Sequence, residues 1–416
     1  MKVGVIGLGY VGLPLAVAFA EAGADVVGLD VSDRAVERLA RGESTVEDIS
    51  SERLGPLVGN TLAITSDHGM LAPCDALVIC VPTPLANQRE PDLSMVDQAT
   101  AAIARILREG QLVVLESTTY PGTTRERVAP VLEGSGLEAG TQFHLAFSPE
   151  RIDPGRTDHT IRTTPKVIGG LTPACLERAV ALYGLICDEV VSVSTPEAAE
   201  LTKLHENIFR SVNIALVNEL ATLADRMGID IWEVVDAAAT KPFGFMSFEP
   251  GPGMGGHCLP IDPFYLAFKA REFDAPTEFI ELAGRVNQQQ PRFCVELISR
   301  ALNAVGRSVK GSRVLLLGAS YKAGIGDMRE APALKIAARL RELGAEIAYH
   351  DPHVEDVPFL ELRSVDLAPG LKACDVACVV TAHEEIDYEA VVAEAPLVVD
   401  FRGVTRGMEA PNLVRL

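Results

Sequence analysis

None of the eight cysteines in this 416-residue chain stands in CxxC spacing, and most lie in apolar strand or helix patterns such as "CDALVICV". Disulfide frameworks and structural zinc both need clustered thiols, so neither is expected. No run of residues reads as membrane-spanning. The opening "MKVGVIGLGY" has neither a basic leader nor the apolar stretch of a secretory signal, and goes straight into a strand pattern; the expected location is the cytoplasm. Basic charge is scarce too, with 37 Lys and Arg against 57 Asp and Glu for a formal net charge of -20. Non-specific binding to nucleic acid or to an anionic membrane rests on excess Lys and Arg, so neither partner is expected, and an anionic ligand must be met by local basic residues. Low-complexity linkers are missing as well. What remains is a chain with 48% hydrophobic residues, long enough for large cores divided among two or three domains.

Its organisation follows from hydrophobic periodicity. From Met1 to about Ser194, the β-branched runs "KVGVIG", "ADVVGLD", "DALVICV", "QLVVLES", "FHLAFS", "KVIGG" and "EVVSVS" alternate with helical patterns, as βαβ units on a parallel sheet do. Residues 195–304 carry almost no strand-like run and are dominated by helical periodicity. The first helix there has legible ends: Thr195 as cap, Pro196 at the first position, Glu197 and Glu200 at the positive end, and Gly228 to close it. Pro196 to Met227 is 32 residues, a length that bridges domains or subunits. From about Val305 the alternation returns in "SRVLLLGAS", a helix over 332–343, "AEIAYHD", "CDVACVVTA" and "PLVVDFRG". The predicted fold class is α/β: two Rossmann-like parallel-sheet domains, 1–194 and 305–416, joined by a helical middle domain, 195–304, with one long central helix.

Three stretches carry chemistry. Gly7, Gly9 and Gly12 have GxGxxG spacing directly after a strand and before a helix. The first permits a tight turn, the second lets backbone approach a pyrophosphate, and the third lets helix and strand pack closely. Asp30 ends the next strand 18 residues after Gly12, where a carboxylate accepts bonds from a ribose diol and repels a 2'-phosphate, which selects NAD over NADP. Arg34, one turn into the next helix, reads either as an adenosine contact or as a solvated surface arginine. On the long helix Lys203, Asn207 and Arg210 share one stripe. Lys203 and Asn207 are either a proton-moving pair in a cleft or a solvated lysine with an asparagine at a helix crossing. The third stretch decides between these. In "GPGMGGHCLPIDPFYL", four glycines and three prolines exclude regular structure around Cys258, and Asp262 with Pro263 starts a helix four residues further on. The positive field of that helix, with His257 or Lys203 nearby, would favour a thiolate able to attack a carbonyl. The other seven cysteines read as inert core residues, and His257 as a loop-fixing residue.

With these residues in view, the chain resembles the UDP-glucose and GDP-mannose dehydrogenase family over essentially its whole length. The matching marks are "GLGYVGLPLA", "VPTP", "ESTTYPGTT", "SPERIDPG", "KLHENIFRSVNIALVNE", "GPGMGGHCLPIDP" and "SYKAGIGDMRE". The resemblance implies an N-terminal NAD domain, a helical middle forming the core of a homodimer, and a C-terminal domain for the nucleotide of a UDP-sugar substrate. It implies Cys258 as nucleophile, Lys203 as proton-transfer group with Asn207 beside it, Glu150 as acid/base for hydrolysis, and Thr118 and Asp262 as water-orienting partners. It also implies NAD contacts at Tyr10, Val11, Asp30, Thr83, Thr118 and Arg329. Sugar-nucleotide contacts are implied at Arg151, Ile152, Arg210, Gly255, Tyr321, Lys322 and Arg402. For Lys322, Arg329 and Arg402 the residues point the same way, since loops after strands in an acidic protein are where a diphosphate needs charged donors; surface salt bridges are the alternative. No metal is implied.

Oxidising a primary alcohol to an acid removes two hydrides and passes through an aldehyde, which a thiol can retain as a thiohemiacetal and then a thioester. The expected activity is NAD-dependent, four-electron oxidation at C6 of a UDP-sugar. "ATKPFGFM" and His-Cys-Leu-Pro-Ile-Asp, in place of the Ser-Cys-Phe-Pro-Lys-Asp of many UDP-glucose enzymes, resemble the branch acting on UDP-N-acetylhexosamines. Ile261 stands where those enzymes often carry lysine. UDP-N-acetylglucosamine is the first expectation, with UDP-N-acetylmannosamine and UDP-glucose after it. Two rivals are a β-hydroxyacid dehydrogenase, which needs neither Cys258 nor residues 305–416, and a non-catalytic NAD-responsive protein, which needs no Lys203, Cys258 or Glu150.

Overall fold

The structure, a computed structural model, describes residues 1–86, 90–152, 159–256 and 261–416. Strands β1 (Lys2–Ile6), β2 (Asp25–Leu29), β3 (Leu62–Thr65), β4 (Ala76–Ile79), β5 (Leu112–Leu115), β6 (His144–Phe147), β7 (Lys166–Gly170) and β8 (Val190–Val193) form one sheet in the order β3-β2-β1-β4-β5-β6-β7-β8. The apolar runs of the sequence become these strands because both faces are covered: β4 and β5 are buried throughout. β3 is the exception, a strand of four residues with three of them only partly buried, too short and too mixed to stand out in the sequence. Neighbouring strands are parallel except β6 and β7, which run opposite ways. No helix among the described residues crosses back between those two, and an antiparallel partner needs none.

The long helix runs Pro196–Met227, with the Thr195 hydroxyl accepting from the Ala198 N–H (3.2 Å) and Gly228 at φ 69° beyond its last turn. Its 32 residues rise about 48 Å at about 1.5 Å each. Helices Ile231–Ala239, Asp262–Ala270 and Glu278–Ala304 follow. Then come β9 (Arg313–Leu317), a helix Pro332–Glu342, β10 (Glu346–His350), a short ribbon of β11 (Asp356–Val357) and β12 (Leu362–Arg363), and β13 (Val376–Val379), β14 (Val398–Asp400) and β15 (Leu413–Arg415). The second sheet is parallel throughout, in the order β10-β9-β13-β14-β15.

Contacts divide the chain into two units, Met1–Glu206 with Phe264–Ala275, and Asn207–Pro263 with Pro276–Leu416. The core of the first gathers Val3, Val5, Leu13, Val26, Val78 and Val114 around β1, beneath the helix Gly12–Glu21. In the second, Ile336 and Leu340 pack with Val314, Leu316, Cys378 and Trp232. Each such apolar side chain, fully buried, stabilises the fold by about 1.5–3 kcal/mol.

Candidate active site

The loop after β1 is shaped by its glycines. Gly7 sits at φ 89°, and a Cβ on Gly12 would lie 1.8 Å from the Gly7 carbonyl oxygen, so neither position admits a side chain. Gly9 faces open space, with nothing within 4 Å of where its Cβ would be. The helix Gly12–Glu21 begins there at Val11 with no side-chain cap, which leaves its first N–H groups for an anion. At the end of β2, Asp30 Oδ2 accepts from the Leu8 N–H and Oδ1 from the Ser32 N–H, both at 2.9 Å. A carboxylate has about four acceptor positions, so Asp30 retains capacity for a ribose diol. The open cradle, the uncapped helix and the half-spent acid together fit a dinucleotide. Tyr10 is 39% exposed, Val11 is half-buried, and Arg34 is exposed on the helix Asp33–Ala40. Thr83 is buried in the loop after β4, where its carbonyl accepts from the Tyr265 hydroxyl at 2.7 Å. Thr118 is half-buried just beyond β5.

The reversal of β6 against β7 builds the second part of the site. Ala146 pairs with Gly170 and Phe147 with Gly169. Continued past the strand ends, that register sets Glu150 opposite Lys166, and the Lys166 Nζ lies 3.2 Å from Glu150 Oε2 and 3.2 Å from Glu116 Oε2. Glu150 Oε1 accepts from the N–H groups of Arg151 and Ile152, each at 2.7 Å, and the Tyr183 hydroxyl donates to the other oxygen of Glu116. Side-chain exposure is 0% for Glu116, 6% for Lys166 and 16% for Glu150, so Glu150 is the most open of the three. Burial pushes Glu150 up, but Lys166, the Ile152 N–H and Lys203 outweigh it and hold the carboxyl below its ordinary range. Burial prevails at Glu116, whose carboxyl is raised. A pocket of about 190 Å³, including its open mouth, is lined by Glu150, Arg151, Ile152, Ile161, Thr164, Pro165 and Lys166. The Thr164 Oγ1 is buried with no hydrogen-bond partner among the described residues. A water in this pocket would find two of the polar partners it needs in Thr164 and Glu150. Arg151 is held by Glu206 at 2.7 Å and by the Pro165 carbonyl at 2.6 Å. Glu116, Lys166 and Tyr183 were not among the residues singled out from the sequence; the one signal for them was a glutamate directly continuing the apolar strand "LVVL", where a buried charge demands a partner.

In the other unit, Asn207 is buried on the long helix and its amide donates to Asp262 Oδ2. Asp262 is the first residue of its helix, one position earlier than a cap before Pro263 would place it. Arg210 is exposed although it follows Asn207 by less than a turn, so the stripe read from the sequence is buried at Asn207 and open at Arg210. Gly255 and Gly256 lie against Tyr321: a Cβ on Gly255 would meet Tyr321 Cβ at 2.5 Å and one on Gly256 would meet the ring at 2.8 Å. Gly256, at φ 85°, donates its N–H to the Arg329 carbonyl at 2.8 Å. The Arg329 side chain is exposed and paired with Asp327 at 2.6 Å, and Lys322 is half-buried beside Tyr321 in sequence. The Arg402 guanidinium makes no hydrogen bond among the described residues; burial lowers its pKa against the opposing pull of Glu249, Asp400 and Tyr388, which is a setting for an anion. Cys258 and His257 lie outside the described residues. Lys203, buried on the first turns of the long helix, belongs with the Glu150 group through its charge.

A dinucleotide loop on one mostly parallel sheet, a helical block and a second parallel sheet define a two-sheet NAD-dependent dehydrogenase. The chain belongs to the UDP-glucose/GDP-mannose dehydrogenase family, whose NAD binding domain matches residues 1–186, central domain residues 197–289 and UDP binding domain residues 315–407. It is an oxidoreductase acting on CH–OH groups with NAD. A UDP-N-acetyl-D-mannosamine dehydrogenase of Pyrococcus horikoshii is 34% identical over 98% of this chain and 100% of its own. A UDP-N-acetyl-D-glucosamine 6-dehydrogenase of Pseudomonas aeruginosa is 37% identical over 85% of this chain and 83% of its own. Among solved structures, the UDP-D-ManNAc dehydrogenase of Pyrococcus horikoshii matches with a TM-score of 0.92 at 32% identity, covering 100% of this chain and 99% of that one. Among the described residues, no helix is long and apolar enough to cross a membrane.

Proposed function

We propose that the protein oxidises C6 of a UDP-N-acetylhexosamine to the uronic acid in four electrons, with UDP-N-acetylglucosamine as the preferred substrate. The observation that carries this reading is the Glu150 carboxylate, held between Lys166 and two backbone N–H groups at the mouth of a small pocket. A dehydrogenase that stopped at the aldehyde would need no such base. Bound NAD supplies the hydride acceptor. Lys203, or a water held by Asp262, takes the C6 hydroxyl proton. Cys258 adds to the aldehyde carbon, and loss of the second hydride leaves a thioester on its sulfur. For hydrolysis Glu150 accepts a proton from water as the C–O bond forms and the C–S bond breaks, while Lys203 and Asn207 donate to the developing oxyanion and Thr118 and Asp262 orient the water.

Tyr10, Val11, Asp30, Thr83, Thr118 and Arg329 are assigned to NAD, and Arg151, Ile152, Arg210, Gly255, Tyr321, Lys322 and Arg402 to the sugar nucleotide. The choice among sugars rests on resemblance: both relatives described above act on UDP-N-acetylhexosamines, and "KPFGF" lacks the His or Arg that mannosamine enzymes place upstream of the glycines. Division into 1–194 for NAD, 195–304 for dimerisation and 305–416 for the nucleotide follows the change of periodicity along the chain. The dimer surface we assign is the exposed apolar stripe of Phe209, Leu216, Leu220, Leu223 and Met227 on the long helix. NAD and nucleotide sugars are cytoplasmic metabolites, and we place the enzyme there.

Absorbance at 340 nm across UDP-N-acetylglucosamine, UDP-N-acetylmannosamine and UDP-glucose tests the reading. Turnover is expected fastest with the first, at two NADH per sugar. Glu150→Gln is expected to release about two NADH per site in a burst and then slow by about 10²-fold or more. Steady release of uronic acid by Cys258→Ser at the parent rate would overturn the covalent route.

A further inference from the structure

We propose that Lys166, with Glu116 behind it, is a positioning residue for hydrolysis, holding the Glu150 carboxylate ionised and turned toward the pocket. This rests on Glu150 being the hydrolytic base. The geometry is a buried chain: Tyr183 donates to Glu116, Glu116 and Glu150 each lie 3.2 Å from Lys166 Nζ, and the remaining Glu150 oxygen takes two backbone N–H bonds. With Lys166 on Oε2 and both N–H groups on Oε1, the carboxylate plane is fixed. Glu150 and Lys166 both line the pocket, Glu150 the more exposed of the two, while Glu116 is fully buried, so the cation acts on a ligand chiefly through Glu150.

Among the described residues, further titratable groups act on this chain. Cys80 and Cys187 press on it from neighbouring elements, but burial raises both thiols, Cys187 to about 11, and raises the Tyr183 phenol as well, so all three stay neutral near pH 7. Lys203 adds a second, weaker attraction on Glu150 from the long helix. Burial works against the charge on Lys166, and the two carboxylates outweigh it, so the ammonium persists. Two carboxylates share one buried ammonium. Ionisation of Glu150 therefore depends on Lys166 and is opposed by Glu116.

That opposition gives the test its sign. Lys166→Met removes the cation, and the acid limb of kcat is expected to move up by about one to three pH units, with KM little changed. Glu116→Gln removes the competing anion, and the limb is expected to stay or move down. Lys166→Arg keeps the charge and is expected to keep the limb near the parent position. If Lys166→Met does not fold, the double change Lys166→Met with Glu116→Gln removes both members of the core pair together and is still expected to raise the limb. An infrared titration of the carboxyl band, which needs neither substrate nor turnover, is expected to show a carboxyl in Lys166→Met that titrates at higher pH than in the parent and vanishes when Glu150→Gln is added. Equal upward movement in Lys166→Met and Glu116→Gln, or no movement in Lys166→Met, would overturn the proposal. Full hydrolysis by Glu150→Gln alone would instead remove Glu150 as the base while leaving the infrared result to judge the charge coupling.

Discussion

Asp30 follows the second strand of the first sheet, and Asp351 follows the second strand, in chain order, of the other. Asp30 accepts two backbone N–H bonds. Asp351 accepts four, from Ala319, Ser320, His353 and Val354, and a contact from the His383 ring at 3.0 Å. Burial opposes its charge, the His383 contact and these N–H bonds prevail, and its carboxyl is held down to about 2. The same sheet position is thus assigned to a cofactor in one domain and anchors a loop in the other. Asp30→Ser is expected to raise KM for NAD by about 10- to 100-fold, the loss of hydrogen bonds to a charged acceptor, and to narrow the preference over NADP; parallel titrations with both dinucleotides check it. Asp30 was legible in the sequence because everything that defines it, strand, turn and glycines, lies within 30 residues. Glu116 and Lys166 were not, because their pairing joins residues 50 positions apart and neither belongs to a local pattern.

At the scale of elements, the long helix shows both outcomes. Its ends could be read from Thr195, Pro196 and Gly228, since caps act within one turn. Glu200, read as a complement to the helix dipole, is instead fully buried and accepts from the Gly122 and Thr124 N–H groups and the Thr124 hydroxyl, at 2.6, 2.8 and 2.7 Å. It ties the helix bearing Lys203 to the segment that follows Thr118. Burial raises its carboxyl to about 7, against those three hydrogen bonds. The folded chain therefore binds more protons than the unfolded chain between about pH 4.5 and 7, so this group's contribution is most favourable below about 4.5, declines as pH rises toward 7, and is level above. Stability of the parent minus that of Glu200→Gln is expected to fall by on the order of 3 kcal/mol across that window, read from denaturant titrations at several pH values. A difference independent of pH would show that the carboxyl is already ionised. The reversal of β6 against β7 was equally hidden: an apolar run reports that a strand is buried and carries no mark of its direction.

For the whole molecule, the formal charge of -20 makes two copies repel, while the exposed stripe from Phe209 to Met227 is the surface proposed to join them. Apolar attraction survives salt and the repulsion is screened, so the proposed dimer is expected to tighten between low and physiological ionic strength. Leu220→Glu, which puts a further negative charge in the stripe, is expected to give monomers at concentrations where the parent is dimeric, by sedimentation equilibrium. Strands that return directly keep their partners opposed whatever the length of chain between them, so residues 151–165 can gain or lose members while Glu150 still faces Lys166. A lineage could rewrite the interior of that stretch without separating Glu150 from Lys166.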